Sequence, residues 1–390
     1  MTTELQSARA PWYRRHRVLA LLLVNLGLLL GLAAVAEAVL RVTITYNPGY
    51  YVSFNDRSGA GEIEFEWGIQ KFNSLGFADD EFDLSKPVRI GYAGDSVTRG
   101  VGCGYGYRYT ELLEQAYPAF CHANLGKSGA GIAADKEVDL LLDLTQKLGF
   151  TTVVCALNLN DCLPDAYSGK DEGGTPLRDL KLFVRDHFDW LRSRSYLYNF
   201  MRTRVKNYFQ AQNIDFHGFP SAELFPRQYE ETIRQTAARV NRLHAALQAR
   251  GVGFMVIIFP YEMQISEAAA RTYAGKGIRW EPDFIDGSTQ RMLMADFTPG
   301  TRCYDLRAAF VDPAVPGMSR DAYDVGECFV YDRGDRLDWN HPNRKGHRLI
   351  AEYLVREGVF DDLAAAAGSS PAGGVASGAA AGAAPATPGN

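Results

Sequence analysis

Cysteine is sparse in this chain, and what there is lacks pattern. The six residues, Cys103, Cys121, Cys155, Cys162, Cys303 and Cys328, form no Cys-x-x-Cys pair and stand in no cluster with zinc-ligand spacing. A zinc module of that kind is excluded. Charge of one sign is also lacking: 41 Lys and Arg against 46 Asp and Glu leave a net charge of −5. Such a mixed balance argues against a nucleic-acid partner. No internal repeat is visible, and no His/Asp cluster suits a metal-dependent hydrolase. What the chain has is 390 residues, 46% of them hydrophobic, enough for one large domain or two.

One long apolar run stands near the N-terminus. Val18 to Ala36 is apolar apart from Asn25 and follows a polar stretch, 1–17, that carries Arg9, Arg14, Arg15 and Arg17. At about 1.5 Å per residue, the run nearly spans a hydrocarbon core of about 30 Å. It has no polar face for a soluble core helix. The basic flank keeps the N-terminus cytoplasmic and sends the rest of the chain outside, to the periplasm or cell surface. Residues 18–39 are therefore read as a retained single-pass anchor. A cleaved signal segment, with secretion, is the alternative, because Ala34-Val35-Ala36 and Ala36-Glu37-Ala38 look like cleavage sites. The run is longer than the usual signal core of about 7–15 residues. In an exported domain the even cysteine count permits disulfides, with Cys303–Cys328 and Cys103–Cys121 as the pairs considered.

Chemistry concentrates at two places. Val88 to Ala93 reads as a buried parallel strand ending in Gly94-Asp95-Ser96, before a glycine-rich turn and a helical pattern to Ala116. A serine at a strand end before a helix sits where α/β enzymes place reacting groups; a helix-capping serine would look the same. Far downstream, Asp338-Trp-Asn-His341 precedes another helical pattern, so a carboxylate and an imidazole share one short turn. A hydroxyl nucleophile needs a base, and the base needs an orienting group. Ser96, His341 and Asp338 are of those three types.

With two further stretches, these residues resemble the GDSL, or SGNH, hydrolase family. Gly94-Asp95-Ser96-Val97 matches its nucleophile block, Asn124-Leu-Gly126-Lys-Ser-Gly129 its second, Asn158-Leu-Asn160-Asp161 its third and Asp338-Trp-Asn-His341 its last. The resemblance spans about residues 85–358, apart from a long insert. It departs from the family at Val97, where leucine is usual, and at Asn158, where glycine is usual. It implies a three-layer α/β/α, flavodoxin-like fold around a parallel sheet of about five strands. It also implies an esterase in which Ser96 attacks, His341 is the base and Asp338 orients it. The oxyanion is then held by the N–H groups of Ser96 and Gly129 and by the Asn160 amide, with no metal or organic cofactor. Asp332 and Asp335 are the substitutes should Asp338 not be the acid; Asp95 and Asp161 read as structural. The partners implied are an ester substrate, an acylated glycan or lipid among the candidates, and the membrane through the N-terminal helix. Two alternatives stay open: a carbohydrate O-acyltransferase using the same residues, and a glycan-binding or assembly protein on an inactive hydrolase fold.

The remaining pattern alternates strand and helix across a hydrolase domain at 87–362. Strands are expected near 121–125, 151–157, 252–259 and 303–306, with helices at 133–148 and 226–250. Residues 40–86 form a juxtamembrane segment expected to pack on the domain edge. Residues 163–222 form a helical insertion rich in aromatics and arginine, read as a cover for the active-site mouth, an amphipathic helix on the core, or a membrane-surface contact. His187 and His217 within it are incidental, and His244 lies on a helix surface. Pro260-Tyr261-Glu262 reads as a turn. The acidic loop with Asp312, Asp321 and Asp324 matches no calcium-loop spacing. Residues 363–390 have a disordered composition of Ala, Gly, Pro and Ser.

Overall fold

The computed structural model describes residues 16–43, 61–65, 68–128, 131–132, 135–162, 195–198, 200–201, 222–275, 278–310, 323–330 and 338–368. Several sequence expectations fall outside them: the arginines before residue 16, Gly129, His187, His217, most of the insertion, Asp312, Asp321, Asp332, Asp335 and the tail from 369. The chain divides into two compact units, Met1–Val52 with Phe183–Val205, and Ser53–Leu182 with Lys206–Asn390.

In the first unit, helix α1 (Arg17–Thr43) is long and apolar enough to cross a membrane. Ser195–Tyr198, within the stretch read as an insertion, falls in this unit.

The second unit begins with an antiparallel hairpin, β1 (Gly61–Phe65) and β2 (Gly68–Phe72). Then come β3 (Val88–Gly94), β4 (Phe120–Asn124), β5 (Thr152–Leu157), β6 (Gly253–Ile258) and β7 (Arg302–Asp305). These five make one sheet in the order β4-β3-β5-β6-β7, and every pairing is parallel. Counted within the sheet the order is 2-1-3-4-5, the flavodoxin-like winding, which reverses direction between β3 and β5. The fold class expected from the sequence is present.

Period-2 alternation explains why these strands read as continuous apolar runs. All six residues of β5 are buried. Val153, Cys155 and Leu157 face one core, Val154 and Ala156 the other. A parallel sheet covered on both faces requires this. Between strands lie α2 (Ser96–Arg99), α3 (Tyr109–Ala116), α4 (Asp135–Leu148) and α5 (Glu230–Gln248); α6 (Glu262–Ile265), α7 (Glu267–Gly275), α8 (Ser288–Ala295), α9 (Arg344–Arg356) and α10 (Asp361–Ala366) are further helices among the described residues. The first core takes Val138 and Leu141 of α4 and Val240 and Leu243 of α5. The second takes Leu113 of α3 and Ile350 and Leu354 of α9. Helix α10 crosses the boundary at 362 placed from composition.

Two expectations are corrected. All six cysteines are free. Cys303 packs against the first core and Cys328 lies in the second, so the sheet separates them; Cys121 belongs to the first core, while Cys103 sits in the loop after α2. Burial pushes every thiol up, Cys121 to about 11 and Cys303 and Cys328 to about 12. They are buried hydrophobes in effect. His244 is half-buried: it stacks on Phe254 and bonds Thr301 through Nδ1 at 3.0 Å.

His122 and His347 are fully buried, and burial lowers both from 6.5 to about 3. Between those values the unfolded chain binds the protons that the folded chain refuses, so stability falls as pH drops below 6.5. Asp79 acts in the opposite sense, since burial raises it from 3.8 to about 7. The difference between wild type and a histidine variant isolates the histidine part. His347→Gln is expected to flatten the loss of urea stability between pH 6.5 and 4, and an unchanged slope would count against this assignment.

Candidate active site

β3 delivers Ser96 through a turn with no spare room. A Cβ on Gly94 would lie 2.2 Å from Thr98 Oγ1 and 2.8 Å from the Ala156 carbonyl oxygen, so only glycine fits between this turn and β5. Asp95 caps α2, its Oδ1 accepting from the Val97 N–H at 2.8 Å. Gly100, at φ +84°, ends the helix in the left-handed region. Val97 is fully buried in the second core, so its departure from leucine is a matter of filling. The hairpin docks here too: Gln70 Nε2 donates to the Arg99 and Gly100 carbonyls at 3.2 and 3.3 Å. The segment read as juxtamembrane thus supports the loop after Ser96, a closer role than edge packing.

His341 and Asp338 precede α9 on a segment held from several sides. The Glu262 N–H donates to the Trp339 carbonyl at 2.8 Å, and the Val330 N–H to that of His341 at 2.8 Å. Asn343 caps α9, accepting from the Lys345 and Gly346 N–H groups while donating to carbonyls at Gly326, Glu327 and Phe329. The indole of Trp339 packs against Tyr261 and Tyr273. Tyr261-Glu262, read from sequence as part of a plain turn, is therefore the backing of this segment. Burial raises the Glu262 carboxyl, and the charge of Asp338 raises it further.

The two places meet across 245 positions of sequence: His341 Nε2 lies 2.8 Å from Ser96 Oγ, and Nδ1 lies 2.7 Å from Asp338 Oδ1. A carboxylate only accepts, so Nδ1 carries the proton and Nε2 is left to accept from the serine. The His341 and Asp338 side chains are 16% and 13% exposed, which limits competition from water while leaving a way in.

Two more strand ends complete the surroundings. After β4, Asn124 Nδ2 donates to the Thr98 carbonyl at 2.7 Å, and its Oδ1 accepts from the Gly126 N–H at 2.9 Å. A Cβ on Gly126 would lie 2.3 Å from the Arg99 nitrogen, so this backbone runs directly against α2. Gly129, expected as an oxyanion donor, lies outside the described residues. After β5, Asn160 Nδ2 donates to Asp95 Oδ2 at 3.1 Å, and Asn158 Nδ2 donates to the same oxygen at 3.0 Å. Asp95 thus holds two amides as well as a backbone N–H. The departure at Asn158 is a buried side chain filling space beside the Asp95-Ser96 turn. Its sequence signal was the Asn-x-Asn-Asp spacing itself. Asp161 is different: burial, then the charge of Asp95, pushes its carboxyl well above the usual range. It accepts from the Asn158 N–H at 3.1 Å, and a side chain at Gly131 would collide with it.

No protein-family model matches the sequence, and no curated protein matches it. Solved structures do match by shape. One is described as a lipolytic protein of the G-D-S-L family from Desulfitobacterium hafniense; it shares 11% identity at a TM-score of 0.35, over 69% of this chain and 98% of that one. Another is the YXIM protein of Bacillus subtilis, with 10% identity and a TM-score of 0.34, over 76% of this chain and 60% of that one.

Proposed function

We propose that this chain is a serine esterase of the GDSL/SGNH type, hydrolysing carboxylic esters through an acyl-enzyme on Ser96. One observation carries the reading: the hydroxyl–imidazole–carboxylate chain from Ser96 through His341 to Asp338, at 2.8 and 2.7 Å. Ser96 Oγ attacks the ester carbonyl carbon while His341 Nε2 takes its proton. The carbonyl π pair moves onto oxygen, which the Ser96 N–H and the second N–H of the Asn160 amide stabilise, together with Gly129. Collapse breaks the C–O bond to the leaving alcohol, which takes the proton from Nε2. Water then repeats the sequence on the acyl-enzyme and releases the acid. Asp338 keeps Nδ1 protonated and stabilises the transient imidazolium.

The helix α1 and the arginines before it support a retained anchor, with the hydrolase unit on the extracytoplasmic side. A fluorophosphonate probe tests the chemistry. The expected result is one adduct, located on Ser96 by mass spectrometry and absent from Ser96→Ala and His341→Ala. A folded wild type that takes up no probe would overturn the reading. Adding a sugar acceptor to the ester assay separates hydrolysis, which releases free acid, from acyl transfer, which yields an acylated sugar.

A further inference from the structure

The anchor helix is longer than a bilayer needs. Its candidate span, Arg17–Val42, has 26 residues. At about 1.5 Å per residue that is ~39 Å, against ~30 Å of hydrocarbon, a surplus of about six residues. Counted from the arginine flank, the surplus falls at the C-terminal end, where the helix carries Glu37 and Arg41. This end is also where one face is covered. Between Gly31 and Val42, Ala33, Ala36, Glu37 and Leu40 are half-buried and the rest are exposed. Their spacing, i, i+3, i+4 and i+7, is one face of a helix.

A carboxylate so close to lipid needs partners. Glu37 has four donors, two on each oxygen. Oε1 accepts from the Tyr196 N–H at 3.0 Å and from Arg41 Nε at 2.8 Å; Oε2 accepts from the Leu197 N–H at 2.8 Å and from Ser195 Oγ at 2.9 Å. The Arg41 guanidinium lies 4.9 Å from the centre of the Tyr196 ring. The Glu37 side chain is 21% exposed, so these bonds are partly shielded from water. All of them lie within the first unit of the chain.

We propose that the exit end of α1 is a docking surface for this chain's own segment from Ser195 to Tyr198, with Glu37 as the latch and Arg41 holding Tyr196. The inference rests on the retained anchor proposed above and gives that anchor a second task. Cleavage after Ala38 would remove Glu37, and cleavage after Ala36 would leave it at a free N-terminus with no helix to orient it. The docked segment is part of the insertion between β5 and α5, and both its ends continue into the second unit. The hydrolase unit is therefore tied to the membrane at two points: through residues 44–60 and through the insertion. Two linked attachments hold far better than either alone.

The test uses the full chain in membranes, with a tag at each end and a site for a specific protease inserted within residues 44–60. Both tags on one mature polypeptide establish the anchor; loss of the N-terminal tag would overturn that reading separately. After cutting and washing, the C-terminal fragment of wild type is expected to stay in the pellet. Glu37→Ala is expected to release it, because a hydrogen bond to a charged group is worth about tenfold and this variant loses several. Release from wild type would overturn the latch alone, as would equal retention by Glu37→Ala. Probe labelling at Ser96 checks that the variant still folds. In a chain with Glu37 intact, Arg41→Cys paired with Tyr196→Cys should be bridged by a short bis-maleimide; a folded chain that gives no bridge also overturns the proposal. The native thiols interfere little, since all six are shifted up by burial.

Discussion

Ser96→Ala and His341→Ala are each expected to lower kcat on a soluble ester by roughly 10⁴–10⁶, and the double variant to be no worse than either alone. The non-additivity is the informative part. Ser96 Oγ and His341 Nε2 share one proton at 2.8 Å, so either loss disables the same step. Asp338→Asn is expected to cost about 10⁴, since the amide can present N–H to Nδ1 and favour the wrong tautomer. KM should change little in all three, because these groups act on the transition state rather than on ground-state binding. Multiplicative losses in the double variant would mean that serine and histidine work independently, and the proposed mechanism would fail. Residual activity should persist from the groups that hold the oxyanion.

The strands and the short motifs were legible because their information is local. Thr152–Leu157 is β-branched and apolar, and burial on both faces is the only environment that suits all six residues. Gly94-Asp95-Ser96 and Asp338-Trp-Asn-His341 each announce a turn with a reactive group. What escaped depends on distant pairing. The hairpin β1–β2 is joined by Glu66-Trp67, which lacks the Asn-Gly or Asp-Gly signal of a tight turn. The cysteine pairs considered from sequence are unbonded, because an even count says nothing about which face of the sheet each cysteine takes. The hydrogen bond from Ser195 to Glu37 of α1 spans 158 positions, and neither residue carries a local sign of the other. Asn158 was visible only as a departure from a family pattern, while its partner lies 63 positions earlier.

That partner sets up the second large effect. Asn160→Ala is expected to lower kcat by about 10²–10³, or 2.7–4 kcal/mol, with KM nearly unchanged, as for a donor that meets charge only in the transition state. A donor of this kind works only if its amide is already aimed. One N–H of Asn160 is committed to Asp95 Oδ2, which fixes the plane of the amide; in the proposed mechanism the second N–H serves the oxyanion. The aiming carboxylate is itself held by Asn158 on the same oxygen and by the Val97 N–H on the other. Asp95→Asn should therefore reproduce much of the kcat loss of Asn160→Ala although Asp95 touches no substrate, and the two together should fall well short of the product of the separate losses. Asn158→Gly removes one of two side-chain amides from the carboxylate. It should cost about tenfold in kcat, the worth of one hydrogen bond to a charged group. Measuring all three variants on one soluble ester, with Ser96 probe labelling retained in each, decides the matter. If Asp95→Asn and Asn160→Ala raise KM and leave kcat alone, the pair shapes the pocket and does not hold the oxyanion.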